Sequence, residues 1–287
     1  MNNRRDNRER GRNQGIRASP PGTAAVVSVL DRWRALSLRR RLVFAGVAVV
    51  LVAAVGTGLA VSEDPAPQSG RPGQDALGPV LLVPGYGGSR DALERLAAAI
   101  RDTGRQADVL TLAGDGTGDL RQQAGVLADA VQRAYAQGAP SVDVIGYSAG
   151  GVVARLWVAD RGGEHQARRV VTLGAPMHGT TVASAGGALV PGACPVACQQ
   201  LTPGSALLRQ LPPLPPGLPW LSVWTQDDQT VVPPDSARLE GAVNVPLQQV
   251  CPGNHAAHGD LPTDPATTAL VLRALGTAPL AAPASCP

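Results

Sequence analysis

The chain has 287 residues, 44% of them hydrophobic and 16% charged, a balance that excludes a disordered protein and leaves room for one sizeable domain plus flanking segments. Its net charge of +3 averages over opposites: residues 1–41 hold 11 Arg against 3 acidic residues, whereas residues 62–287 hold 14 Arg against 19. The basic excess stops at a long apolar run, so a membrane surface explains it better than a nucleic acid, and no nucleic-acid partner is expected.

Residues 1–41 read as a basic tail, Arg-rich and expected to be disordered over its first half. Residues 24–38 could form a short basic amphipathic helix on an anionic inner leaflet. Arg39, Arg40 and Arg41 then precede 20 uncharged residues, 42–61, long enough to cross a bilayer as one helix. The Arg excess on the N-terminal side predicts a cytoplasmic N-terminus and an exported remainder. An uncleaved anchor in the cell membrane is expected, with the rest of the chain extracytoplasmic. Secretion after signal cleavage is the alternative, since Gly58-Leu59-Ala60 offers small residues at the right spacing. Residues 62–78, rich in Pro, Gly and polar residues, read as a flexible linker to a body at 79–287.

In the body, short apolar strands alternate with amphipathic helices. Val80–Val83 is the first strand, and it ends at Pro84 in a glycine-rich loop. A helix from about Ala92 to Thr103 puts Leu93, Leu96 and Ile100 on one face, with Asp91 as N-cap and Glu94 completing a capping box. Strand 108–112 and helix 119–135 come next, then strand 142–145 and helix 149–159. Strands at 169–173, 220–224 and, more weakly, 243–245 lead to a closing helix at 267–275. This alternation predicts an α/β fold with a doubly wound, mostly parallel sheet. Residues 176–219, rich in Gly and Pro, break the pattern and read as a cap or long loop over the site, with at most one short helix near Ser205–Leu211.

All four cysteines follow the apolar run, and an even count in an exported domain favours disulfides over zinc. Of the three pairings, Cys194–Cys198 with Cys251–Cys286 is favoured.

The sharpest motif is Gly146-Tyr147-Ser148-Ala149-Gly150, a G-x-S-x-G between a strand and a helix. In that context it forms a tight turn that lifts the Ser148 side chain out of the chain path, and only small residues fit the crowded flanks. A serine hydroxyl is a weak nucleophile and needs a base oriented by a third group. In this fold the order is serine, acid, histidine. His255 and His258 both lie late enough to be the base, whereas His165 and His178 read as loop histidines. Asp227 and Asp228, just after strand 220–224, both qualify as the acid. The backbone N–H groups of Ala149 and Tyr86 are the candidate oxyanion donors. No cofactor or metal is implied, and Asp115–Asp119 reads as a turn rather than a cation site.

Together these segments resemble the compact bacterial lipases and esterases of the α/β-hydrolase superfamily, especially the exported actinobacterial type. The likeness is carried by residues 81–89 (LLVPGYGGS), 114–120 (GDGTGDL), 144–155 (VIGYSAGGVVAR), 171–180 (VTLGAPMHGT) and 227–234 (DDQTVVPP). By resemblance, D-x-x-V-x-P carries the acid at its first position, which favours Asp228. The family's histidine is often followed three positions on by Leu, as in His258-Gly259-Asp260-Leu261, which favours His258 over His255. One departure is Pro84-Gly85 where many relatives have His-Gly.

The resemblance implies an exported, monomeric serine ester hydrolase acting on an ester or lipid substrate through Ser148, Asp228 and His258. Acyl transfer to a cell-envelope acceptor would use the same residues. A non-catalytic envelope binding protein on a hydrolase scaffold is the third reading.

Overall fold

A computed structural model describes residues 37–40, 42, 70–189 and 194–287. Most of the basic tail, residues 43–61 of the expected membrane segment and residues 62–69 of the linker lie outside the described residues. Among the described residues no helix is long and apolar enough to cross a membrane. The chain divides into Met1–Pro67 and Gln68–Pro287. The second unit is the body.

Six strands form its sheet: β1 (Val80–Val83), β2 (Ala107–Val109), β3 (Val142–Tyr147), β4 (Ala167–Leu173), β5 (Trp220–Trp224) and β6 (Val243–Pro246). Their order is β2-β1-β3-β4-β5-β6, and every neighbouring pair is parallel. The expected mostly parallel sheet is therefore parallel throughout. Parallel strands covered on both faces need apolar side chains on both, which is why β1 and β4 are buried at every position. The winding reverses between β1 and β3, and the carboxyl ends of strands at such a point open into a crevice.

Helices α1 (Asp91–Arg101), α2 (Leu120–Ala136) and α3 (Ala149–Asp160) follow β1, β2 and β3, and α8 (Pro265–Ala274) closes the body. Leu120, Leu127 and Val131 of α2 join Val152, Leu156 and Trp157 of α3 in one core layer. Leu93, Leu96 and Ile100 of α1 join Leu270 and Val271 of α8 in the other. The expected capping box at α1 does not form. Arg90 occupies the N-cap without a side-chain cap, Asp91 is already helical, and the Glu94 carboxylate pairs with Arg90 at 2.7 Å. A neighbouring guanidinium competes better for that carboxylate than a backbone N–H does. The second strand stops at Val109, short of the expected Leu112.

Residues 176–219 hold more helix than expected: α4 (Thr181–Leu189), α5 (Val196–Gln200) and α6 (Ala206–Gln210, capped by Ser205). The first two were hidden by small residues and by lengths of only a few turns. A further short helix, α7 (Leu247–Val250), follows β6.

The starts of the strands are bound together by buried charge. Arg168 and Arg105 both pair with Asp143, which is fully buried. The two arginines also donate to the Leu275 carbonyl, and Arg169 donates to the carbonyls of Ala274 and Ala278 at 2.7 Å each. The Ala274 and Leu275 carbonyls are acceptors left over at the end of α8, and Ala278 lies just beyond it. Gln74 completes the cluster, accepting from Arg168 and Arg169. Arg71 donates to the Glu164 and Pro216 carbonyls. The described part of the expected flexible linker is therefore irregular in backbone but pinned to the body. Disulfides join Cys194 to Cys198 and Cys251 to Cys286, the favoured pairing. The second spans 35 positions and contributes about 3–4 kcal/mol in the chain-entropy picture.

Candidate active site

Strand β3 delivers Ser148 to the carboxyl edge of the sheet. The serine adopts φ 52° and ψ −126°, and it is the one non-glycine residue with positive φ among the described residues. Such a backbone is costly for a residue with a side chain and persists only where its surroundings enforce it. They do so here. A Cβ at Gly146 would lie 2.5 Å from the Gly150 carbonyl oxygen, and one at Gly150 would run into the carbonyls of Val83 and Pro84. A Cβ at Gly151 would strike Ala175. The glycines let α3 start directly against β1 and β4. The Ser148 N–H is taken by the Leu173 carbonyl at 2.8 Å, which fixes the turn to β4.

Asp228 lies four residues beyond β5. Its Oδ1 accepts the N–H groups of Thr230 at 2.8 Å and Val231 at 2.7 Å, and its Oδ2 faces His258 Nδ1 at 2.6 Å. An ionised carboxylate only accepts, so Nδ1 is the donor, and in a neutral imidazole Nε2 is then the acceptor. Both side chains are buried, with 1% of Asp228 and 8% of His258 exposed. The alternatives weighed from sequence pair with each other instead: His255 Nδ1 sits 3.2 Å from Asp227 Oδ2, with 83% and 47% of the side chains exposed. His178 turns away to the Arg238 carbonyl, and His165 stays at the surface beside Glu164.

The loop Pro84-Gly85-Tyr86 runs beside the serine. A Cβ at Gly85 would lie 3.0 Å from Ser148 Cβ. Among the described residues, neither the Tyr86 N–H nor the Ala149 N–H has a hydrogen-bond partner, so the donors next to the serine stay available. Ala149 is the first residue of α3, where the positive end of the helix dipole also points.

Residues that sequence reasoning passed over complete the surroundings. Tyr147 donates to the His258 carbonyl, and burial, then the charges of Asp228 and Asp260, push its hydroxyl up to about 12, so it stays a neutral donor. Gly174 (φ 54°) lies beneath His258, where a Cβ would be 3.0 Å from Nδ1. Arg155 of α3, held at lowered pKa by burial, donates to the carbonyls of Met177 and Pro212 and so fastens the cap. Only position relative to the motif could have singled out Tyr147. Nothing local marks Gly174 in a chain with 34 glycines. Against the serine lies a cavity of about 190 Å³, lined by Tyr86, Pro176, Thr180, Val182, Ala183, Cys198, Leu201, Thr230 and Val231.

A family model described as the PGAP1-like alpha/beta domain matches residues 76–188. No curated protein matches the sequence. Among solved structures, the mature form of Bacillus licheniformis lipase BlEst2 superposes with a TM-score of 0.58 at 18% identity, over 73% of this chain and 96% of the lipase. Its propeptide form gives 0.58 at 18%, over 75% and 54%. Aspergillus fumigatus lipase B gives 0.57 at 20%, over 73% of this chain and 55% of the lipase, so the chain spans about half that protein's length. At such identities the likeness is one of fold.

Proposed function

We propose that this chain, an α/β hydrolase of lipase- and esterase-like fold, is a serine carboxylic-ester hydrolase with Ser148 as nucleophile. The observation that carries the reading is the buried Asp228–His258 pair at 2.6 Å, whose imidazole packs against Tyr147, the residue just before a serine on a strained turn. His258 Nε2 takes the Ser148 proton as Oγ bonds to the ester carbonyl carbon. The N–H groups of Ala149 and Tyr86 receive the charge on the carbonyl oxygen. The C–O bond to the alcohol then breaks, and the alcohol leaves with the proton from His258. Water, activated by the same imidazole, releases the acid and frees the serine. The Ser148 hydroxyl has no partner among the described residues, and hydrogen bonds of this kind commonly tighten only when substrate is bound.

The body is proposed to work outside the membrane, with residues 42–61 as its anchor. The Arg asymmetry around the apolar run and two disulfides in the body support this.

A fluorophosphonate label and p-nitrophenyl butyrate turnover test the assignment. The wild type should label and turn over, and Ser148→Ala should do neither. Equal labelling of both would overturn it.

A further inference from the structure

Among the described residues, the wall of the cavity beside Ser148 is tied together by hydrogen bonds between three segments. Thr180 stands where three segments meet. Its N–H donates to the Leu201 carbonyl at 2.8 Å, its hydroxyl donates to the Thr230 carbonyl at 2.8 Å, and its Oγ1 accepts the Val232 N–H at 3.0 Å. Thr181 N–H adds a bond to the Val232 carbonyl at 2.9 Å. The start of α4, the end of α5 and the loop carrying Asp228 are thus one hydrogen-bonded unit. At Gly179 (φ 91°) these segments cross so closely that a Cβ would lie 2.6 Å from Pro203 N.

Helix α5 is fixed from its other side as well. The Gln200 side chain accepts the Leu120 N–H and donates to Asp119 Oδ1, both at 2.8 Å, so it is sewn to the first turn of α2. The Ala197 N–H donates to the Thr117 carbonyl at 3.0 Å. The disulfide from Cys194 closes the turn leading into α5, and its partner Cys198 is itself part of the cavity wall. Each bond that crosses between segments adds to the free energy needed to part them.

Building on the ester-hydrolase reading, we infer that this cavity is an acyl pocket of fixed volume that selects short acyl chains, with Leu201, Ala183 and Cys198 setting its length. Its lining is mostly apolar, as an alkyl chain requires, and it opens at Ser148, where the acyl carbon must sit. A cavity of about 150 Å³ accommodates a benzene, six heavy atoms, so about 190 Å³ has room for a similar number, the size of a butyryl to hexanoyl group. A longer chain would have to stay in water or break the bonds at Thr180.

The experiment measures kcat/KM of the full chain in detergent on p-nitrophenyl acetate, butyrate, hexanoate, octanoate, dodecanoate and palmitate, alongside fluorophosphonate labelling of Ser148. The optimum should fall at butyrate or hexanoate, with about a tenfold or greater loss by dodecanoate. Leu201→Ala should move the optimum to a longer chain, and Ala183→Leu, at a half-buried position, should move it to a shorter one. A profile that is flat or rising through dodecanoate overturns the inference, as does an optimum unmoved in every folded variant. If Ser148 neither labels nor turns over any ester, the hydrolase reading itself is overturned. Labelling with a flat profile overturns the pocket alone.

Discussion

The ring of Tyr147 lies against the imidazole of His258, with centroids 5.2 Å apart and planes 32° from parallel, while its hydroxyl reaches the His258 carbonyl at 3.2 Å. Asp228 holds one edge of the imidazole. Tyr147 holds its face and its backbone, and it does so from the residue just before Ser148. Tyr147→Phe keeps the ring and removes one neutral hydrogen bond, so kcat should fall about fivefold with KM unchanged. Tyr147→Ala removes both contacts and should cost more. Steady-state kinetics on a short-chain ester checks the order wild type, Phe, Ala.

The same tyrosine gives the protein a stability that depends on high pH. Its folded-state value is raised from 10.0 to about 12, so between those values the unfolded chain has released a proton that the folded chain still holds. Unfolding then releases a proton, and stability falls as pH rises from about 10 towards 12. Tyr135, raised by burial, contributes in the same direction. Thermal melts from neutral to strongly alkaline pH should show this decline in wild type and a shallower one in Tyr147→Phe.

The two Asp–His pairs should separate cleanly in kinetics. Asp227–His255 is exposed and Asp228–His258 is buried. His258→Ala should lower kcat by at least about 10⁴-fold. His255→Ala should stay within about twofold, since exposed pairs are worth little. Loss of turnover in His255→Ala with retention in His258→Ala would reverse the assignment.

Gly174→Ala tests the floor under the histidine. The added methyl would sit 2.8 Å from Leu261 Cδ1 and 3.0 Å from His258 Nδ1, at a φ that itself costs about 1–2 kcal/mol for a residue with a Cβ. Turnover should fall while fluorophosphonate labelling slows in parallel, because the base is displaced. Unchanged rates would show that the floor has slack.

Removing Asp143 leaves the guanidinium of fully buried Arg168 without its charge partner. Asp143→Ala should cost about 3–5 kcal/mol, read as a lower urea midpoint. Asp143→Asn should fall between it and wild type.

Much of this was legible from residue patterns. Parallel strands must be apolar on both faces, so β1, β3, β4 and β5 stood out as runs, and the glycines around Ser148 announced the turn. The helix ends were harder. At Arg90 a guanidinium took the carboxylate of Glu94 that a capping box would have used. Helices α4 and α5 are short and held by tertiary bonds such as those of Gln200, which leave no periodicity to read. The choice of His258 over His255 needed a family likeness, because burial separates the two and is not written locally.

Gln74, near the start of the body, and the chain from Ala274 to Ala278, near its end, meet the same arginines at the starts of the strands. Ser148 lies at the far end of β3, about 20 Å along a six-residue strand. Load entering through residue 74 should therefore meet this arginine clamp at the opposite end of the strands from the serine turn, whereas load from beyond Cys286 should meet Cys251 first.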